Sequence, residues 1–317
     1  MSVLRLENVT KTYGDKIAVD NVSFEVNQGA IFGLLGPNGA GKTSLIRIIT
    51  TITGADSGTV YLNDEKLNFD HPAQIGYLPE ERGLYKKMKV GDQLIYLARL
   101  KGLAAVEAKT AIREWMKRFE ILDWWNKKIG ELSKGMQQKI QFIATVMHRP
   151  KLLILDEPFS GLDPINTNLI KDEIRKLNDE GVSIIFSTHR MEQVEEICED
   201  IVLINNGKNI LEGKVAAIKQ KHKQNLFSLV VSNGLPDNLE VQQQVIGFDI
   251  ISKGTNRVVV KLENDLASNQ LLSFFLQNGK QIVAFNEILP SLNEIFINEV
   301  EKVEGEFSEK HKLSQNG

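Results

Sequence analysis

Gly36-Pro37-Asn38-Gly39-Ala40-Gly41-Lys42-Thr43 fits the spacing G-x-x-x-x-G-K-[ST]. Each residue type in it suits a phosphate chain. Glycines let backbone N–H groups turn inward without side-chain clash. A helix beginning at the loop's end adds unpaired N–H groups and the positive end of its dipole. Lys42 brings a full positive charge to the terminal phosphates, Thr43 offers a hydroxyl to Mg²⁺, and Ser44 continues the turn. A chance glycine-rich turn is the alternative, and the flanks weigh against it. Ala30-Ile31-Phe32-Gly33-Leu34-Leu35 reads as a buried strand. Leu45, Ile46, Ile48 and Ile49 have helical spacing, although their β-branched members weaken it.

A second chemical stretch lies downstream. Lys151 to Pro158 holds an apolar run ending in the carboxylates Asp156 and Glu157. Such a run suits a strand buried on both faces of a parallel sheet. Carboxylates at its C-terminal end lie where α/β sheets bind ligands. Asp156 is the candidate Mg²⁺ carboxylate, and Glu157 the candidate base for an attacking water. Gly181 to His189 is a further buried strand. A lone histidine is usually a surface or satisfied core residue, but at a strand end level with Glu157 it becomes a candidate phosphate sensor.

The elements that must position these residues can be read in order. Residues 3–30 alternate as antiparallel strands around the turn Tyr13-Gly14-Asp15-Lys16. Tyr13 offers a ring face to an adenine, or is simply half-buried packing beside a turn. Residues 54–78 read as a second hairpin-like piece, with strands Gly58–Asn63 and Ile75–Leu78. A polar loop follows from Pro79 to Tyr85, and residues 91–122 turn helical. Trp124-Trp125 suits packing or a partner contact. Ser133 is placed to cap a helical run over 140–147. A helix follows around 167–180, and a strand over 201–204 closes the first part.

Residues 213–225 read as a linker, 226–302 as a small α+β domain, and 303–317 as a disordered polar tail. Forty-one acidic against 38 basic residues leave a net charge of −3, which gives no footprint for nucleic acid. One cysteine, Cys198, excludes an internal disulfide and suits a reducing compartment. No apolar run is long enough to span a bilayer, and the alternating N-terminus is unlike a signal peptide.

Taken together, these motifs resemble the nucleotide-binding subunit of an ABC transporter over residues 1–212, with a helical subdomain at about 86–149. The most specific part is Leu132-Ser133-Lys134-Gly135-Met136, ahead of the Asp-Glu strand. The resemblance implies an α/β phosphate-loop cassette: a largely parallel sheet, an antiparallel β subdomain and a helical subdomain, followed here by the small α+β domain. It implies an ATPase that uses ATP and Mg²⁺ and works as a homodimer, with two ATPs sandwiched between subunits. Tyr13 would stack adenine, and Gly36 to Thr43 would hold the phosphates. Asp156 would serve the Mg²⁺, Glu157 the water, and His189 the switch. Ser133 and Gly135 would reach the ATP of the other subunit, and Ser160 to Asp163 would communicate across the dimer. A separate multi-span membrane permease would dock near Glu80 to Tyr85. The chain would then be cytoplasmic and peripheral on the inner face of the cell membrane. With its extra C-terminal domain it further resembles bacterial exporter ATPases of the sodium-extrusion (Nat) type.

Two positions depart from that family's pattern. Lys134 and Met136 stand where the signature Leu-Ser-Gly-Gly-Gln has Gly and Gln. Glu80 stands where a Gln usually contacts Mg²⁺ and water. Glu ligates Mg²⁺ as a hard oxygen donor but cannot donate a hydrogen bond when ionised. A soluble ABC-type ATPase with a regulatory or mechanical role and no permease is the competing reading. A single cassette, balanced charge and no sustained heptads weigh against it.

Overall fold

The computed structural model describes residues 1–302 except Arg82. The expected disordered tail, 303–317, lies outside the described residues. The chain divides into two compact units, Met1–Val215 and Ala216 onward.

In the first unit the elements are β1 (Ser2–Tyr13), β2 (Lys16–Asn27), β3 (Ile31–Leu35), α1 (Lys42–Ile49), β4 (Ser57–Leu62), β5 (Glu65–Lys66) and β6 (Ile75–Leu78). They continue with α2 (Val90–Leu100), α3 (Ala105–Arg118), α4 (Lys134–Val146), β7 (Leu152–Asp156), α5 (Pro164–Asp179), β8 (Ser183–Thr188), α6 (Met191–Ile197), β9 (Asp200–Asn205) and β10 (Lys208–Lys214). Two sheets result. A six-stranded sheet has the order β10-β9-β3-β8-β7-β6, and a four-stranded one has the order β2-β1-β4-β5. In the six-stranded sheet β9, β3, β8, β7 and β6 run parallel, and only β10 is antiparallel. Strands β3, β7 and β8 are buried at every residue, as continuous apolar runs between covering layers require. One core, including Leu4, Phe24, Phe32, Leu45, Ile154 and Val202, joins the two sheets around α1.

The hairpin expected over 54–78 does not form. β4 pairs with β1 and with the short β5, whereas β6 is the edge strand of the parallel sheet beside β7. The two runs look alike in composition, and the sheet each joins is decided by long-range pairing. Two helices also begin earlier than their apolar periodicity suggests. Ser133 caps α4, accepting from Met136 N at 3.2 Å, so the turn Lys134-Gly135-Met136 is already helical. Asp163 caps α5 through Asn166 N at 2.9 Å, with Pro164 in the first turn.

The second unit contains β11 (Leu226–Val231), α8 (Gln243–Ile246), β12 (Phe248–Lys253), β13 (Arg257–Leu262), α9 (Asp265–Gln277), β14 (Ile282–Ile288) and a last helix over 292–302, after α7 (Val215–Lys221), which bridges the units in sequence. Its antiparallel sheet has the order β12-β13-β11-β14. Leu229, Val258, Val260, Leu271 and Phe275 form its core.

A buried histidine ties α4 to the sheet edge. His148 Nε2 lies 3.2 Å from Ile75 O, and Lys101 Nζ donates to the same carbonyl at 2.9 Å. Burial, and secondarily the Lys101 charge, push the imidazole down to about 4; the Ile75 carbonyl opposes this only in part. An unfolded histidine takes its proton near 6.5, so the unfolded chain protonates first as pH falls. The contribution of neutral His148 to stability is therefore full above that value and is lost toward pH 4. Chemical denaturation of this unit should show about 1 kcal/mol less stability near pH 5.5 than near pH 7 from this residue alone. His148→Gln should flatten that part of the profile, and an unchanged slope would exclude His148 as its source.

Candidate functional site

Four adjacent parallel strands deliver the chemistry to one edge. The glycine loop leaves β3, His189 follows β8, Asp156 and Glu157 end β7, and Glu80 follows β6. The parallel register sets Leu35 beside Thr188 and Asp156 beside Ser187, so these groups emerge level with one another.

The loop's backbone explains its glycines. Gly36 has φ 148° and Gly41 φ 114°. A Cβ on Gly36 would lie 2.1 Å from Ile204 O, and one on Gly41 2.4 Å from Ala18 O. Gly39, at φ 81°, has open space around it. Lys42 is buried, and its Nζ donates to Gly36 O at 2.7 Å and to Pro37 O at 3.1 Å. Burial lowers its proton affinity, while Asp156, Glu157 and Glu80 oppose that shift.

Across the cavity, Asp156 is buried and accepts from Ser187 Oγ at 2.8 Å. Burial raises its carboxyl above the usual range, and the neighbouring carboxylates add to the shift against the Ser187 bond and Lys42. Glu157 has φ 49°, a left-handed backbone that costs a residue with a Cβ on the order of 1 kcal/mol. Its N–H donates to Ser187 O at 2.9 Å, which holds the turn. Its carboxylate accepts from Thr188 Oγ1 at 3.1 Å and from His189 N at 2.8 Å, and it lies 2.6 Å from His189 Nδ1.

One cavity of about 240 Å³ gathers Tyr13, Asn38, Gly39, Gly41, Lys42, Thr43, Ser44, Glu80, Asp156 and Glu157. Gly36, Pro37 and Ala40 stand behind it as the loop's backbone, and His189 meets it only through Glu157. Tyr13 is 44% exposed, with Lys11 Nζ 5.5 Å from its ring centre. The structure does not bring Ser133, Gly135 or Asp163 to this cavity. They cluster where α4 and α5 begin: a Cβ on Gly135 would lie 3.7 Å from Leu162 Cδ2 and 3.9 Å from Asn166 Nδ2, beside the cap formed by Asp163.

Sequence reasoning passed over several supporting residues. Lys16 and Ala18 line the cavity. Ser187 and Thr188 brace the two carboxylates, and two hydroxyls following the apolar run Ile184-Ile185-Phe186 were the available signal. Gln138 Nε2 donates to Pro158 O at 3.0 Å and Gln141 Nε2 to Pro79 O at 2.9 Å, which fastens α4 to the loops carrying Glu157 and Glu80. Nothing in the sequence pattern marks those two.

The site's setting is shared with known proteins. The chain is 45% identical over 300 residues to the uncharacterized ABC transporter ATP-binding protein YhaQ of Bacillus subtilis, an alignment covering 94% of this chain and 98% of YhaQ. This chain belongs to the ABC transporter ATP-binding family. The family model described as ABC transporter matches residues 19–160 of the cassette, and that for the C-terminal domain of DrrA1-3-like ATP-binding proteins matches residues 213–300. The ABC transporter ATP-binding protein NatA of B. subtilis is 33% identical to the chain, covering 70% of it and 93% of NatA. The Nod factor export ATP-binding protein I of Burkholderia thailandensis is 36% identical, covering 65% of it and 69% of that protein. Among solved structures, the dimeric post-hydrolysis state of the ATP-binding cassette MJ0796 bound to ADP and Pi matches with a TM-score of 0.62 at 25% identity, over 67% of this chain and 98% of that one. The phosphate-loop cassette and the Nat-type likeness read from the motifs therefore stand, and the ABC cassette described here is that of an ATPase.

The steric reading of the loop can be tested by melting curves. Gly36→Ala and Gly41→Ala should each destabilise the cassette by about 3 kcal/mol, since a methyl would overlap a carbonyl in a packed region. Gly39→Ala should cost only about 1–2 kcal/mol, the penalty of its positive φ in open space. Equal losses in all three would refute the close-approach argument.

Proposed function

We propose that this chain is the ATP-hydrolysing subunit of an ABC-type export system, working as a homodimer whose two ATP sites lie between subunits. The observation that carries this is a division within one chain. Loop, lysine and carboxylates share a cavity, while exposed Ser133 and Asp163 and half-buried Gly135 lie outside it in a separate cluster. Two copies arranged head to tail complete each site, the second copy supplying the Ser133 hydroxyl and the N–H groups that start α4.

Within a site, Tyr13 stacks the adenine. The backbone from Gly36 to Thr43, with Ser44, cradles the phosphates. Lys42 exchanges its bonds to the Gly36 and Pro37 carbonyls for the terminal phosphates. Thr43, Asp156 and Glu80 are oxygen donors on one cavity wall, and they fit Mg²⁺ because a buried carboxylate with a raised proton affinity is relieved by a neighbouring cation. When bound, Mg²⁺ neutralises charge on the phosphates. Glu157 accepts a proton from the attacking water. His189, oriented through its Nδ1 by that carboxylate, presents the far side of its ring to the γ-phosphate. Asp163 holds the start of α5 and speaks across the dimer.

Dimer closure would move a separate multi-span permease that contacts the loop from Glu80 to Tyr85. Among the described residues no helix is long and apolar enough to cross a membrane. The cassette would therefore sit peripherally on the cytoplasmic side, taking its membrane path from that partner. The export direction is supported by the name of the Nod factor export relative. Residues 1–212 form the working cassette, with its helical subdomain at about 86–149. Residues 213–225 link it to an accessory domain over 226–302, which serves dimerisation or regulation.

Glu157→Gln should lower ATP turnover by on the order of a hundredfold or more while nucleotide-bound dimers accumulate on size exclusion in ATP and Mg²⁺. Retention of full turnover in that variant would remove Glu157 from the role of base.

A further inference from the structure

Two extended segments of the helical subdomain lie side by side. Val90 N donates to Lys127 O at 3.0 Å and Gly91 N to Trp125 O at 3.0 Å, while Ile129 N donates to Met88 O at 2.9 Å and Gly130 N to Lys86 O at 2.9 Å. The pairing is antiparallel and sets Lys89 directly opposite Lys128. Ile129 is buried and Met88 half-buried, and Lys86, Lys87, Lys89, Lys127 and Lys128 are all exposed, with Lys87, Lys89 and Lys128 on the face opposite Met88 and Ile129. Like charges directly opposed across a strand pair are destabilising. The carboxylates in these stretches do little to relieve them. Asp123 lies 3.5 Å from Lys127, and Glu131 accepts from the backbone N of Lys128 at 3.1 Å. Among the described residues the other four lysines have no carboxylate partner. This concentration occurs on a chain whose net charge is −3.

Aromatic side chains border the lysines. Tyr85 is 56% exposed and Tyr96 45%, and their rings meet edge to face at 6.4 Å. Trp124 and Trp125 are half-buried, and Lys127 Nζ stands 5.9 Å from the Trp124 ring centre. We propose that the lysine ladder of Lys87, Lys89 and Lys128, flanked by Lys86 and Lys127, is a membrane-surface contact that binds anionic lipid headgroups and rests the helical subdomain against the bilayer. Three features favour lipid. Every cation of the ladder is lysine, a compact charge on a flexible stem suited to a diffuse anionic surface, whereas protein interfaces favour arginine and deplete lysine. Tyrosine and tryptophan at the border match the residues that settle at headgroup level. The balanced overall charge gives nucleic acid no wider footprint. The contact rests on the membrane-side reading above, yet it needs neither permease nor nucleotide, so the two can fail separately.

The test is sedimentation of the full chain with vesicles of phosphatidylcholine alone and of phosphatidylcholine mixed with phosphatidylglycerol, at low and high salt. Binding is expected only to the anionic vesicles and should weaken with salt. Lys87→Glu/Lys89→Glu/Lys128→Glu should lose about tenfold or more of that binding, given the attraction each lysine contributes near such a surface. A matched reversal elsewhere, Lys66→Glu/Lys109→Glu/Lys151→Glu, should keep most of it. Melting curves check folding, and Lys87→Gln/Lys89→Gln/Lys128→Gln carries the test if the reversed variant melts early. Absence of binding to anionic vesicles, or equal losses in the ladder and control variants, overturns the proposal. In that event an acidic protein segment becomes the alternative partner, and the ATPase reading is untouched.

Discussion

A lysine ammonium held out of water is the constraint on which the cassette's architecture turns. Lys42 is buried at the start of α1, between the carbonyls of its own loop and three carboxylates from other elements. Burying a charge is costly unless it is paired and hydrogen-bonded. The carboxylates that offset its charge come from just past the ends of β6 and β7, which lie parallel in one sheet with β3 and end level with it. β8 stands between β3 and β7 and joins the two sides: Ser187 braces Asp156 by its hydroxyl and Glu157 by its carbonyl, and Thr188 adds a bond to the Glu157 carboxylate.

The same arrangement separates two kinds of helix start. The start of α1 opens on the cavity that holds Lys42, with glycine rather than a side chain as its cap. The starts of α4 and α5 are capped by Ser133 and Asp163 and face outward. Each satisfies its orphan N–H groups differently, and only the first leaves them free for a ligand from its own chain.

How much of this could be read from the residues depended on the range of the forces involved. The loop, the carboxylate pair and the strands carrying them were legible because local patterns specify them: glycines at fixed spacing, and apolar runs ending in charge. The start of α4 was obscured because Lys134-Gly135-Met136 has no apolar periodicity, and the Ser133 cap alone signals it. The sheet to which β4 and β6 belong was not legible, because both are short strands and their main partners lie far away in sequence. The bracing by Ser187 and the anchoring by Gln138 and Gln141 are tertiary contacts with no local pattern. The departures at Glu80 and Lys134 could be seen in the sequence, but only the fold shows that Glu80 stays on the wall of the cavity.

The two glutamine anchors on α4 have a mechanical consequence. Gln138 and Gln141 sit three residues apart on one helix face, and each holds a backbone carbonyl just beside a carboxylate-bearing turn, Pro158 after Glu157 and Pro79 before Glu80. The two turns are thereby yoked to a single rigid rod. Drawing them apart would either break one of these buried hydrogen bonds or swing the rod, whose leading tip is Ser133. A displacement of either turn would thus reach the outer tip along one helix, without passing through the sheet.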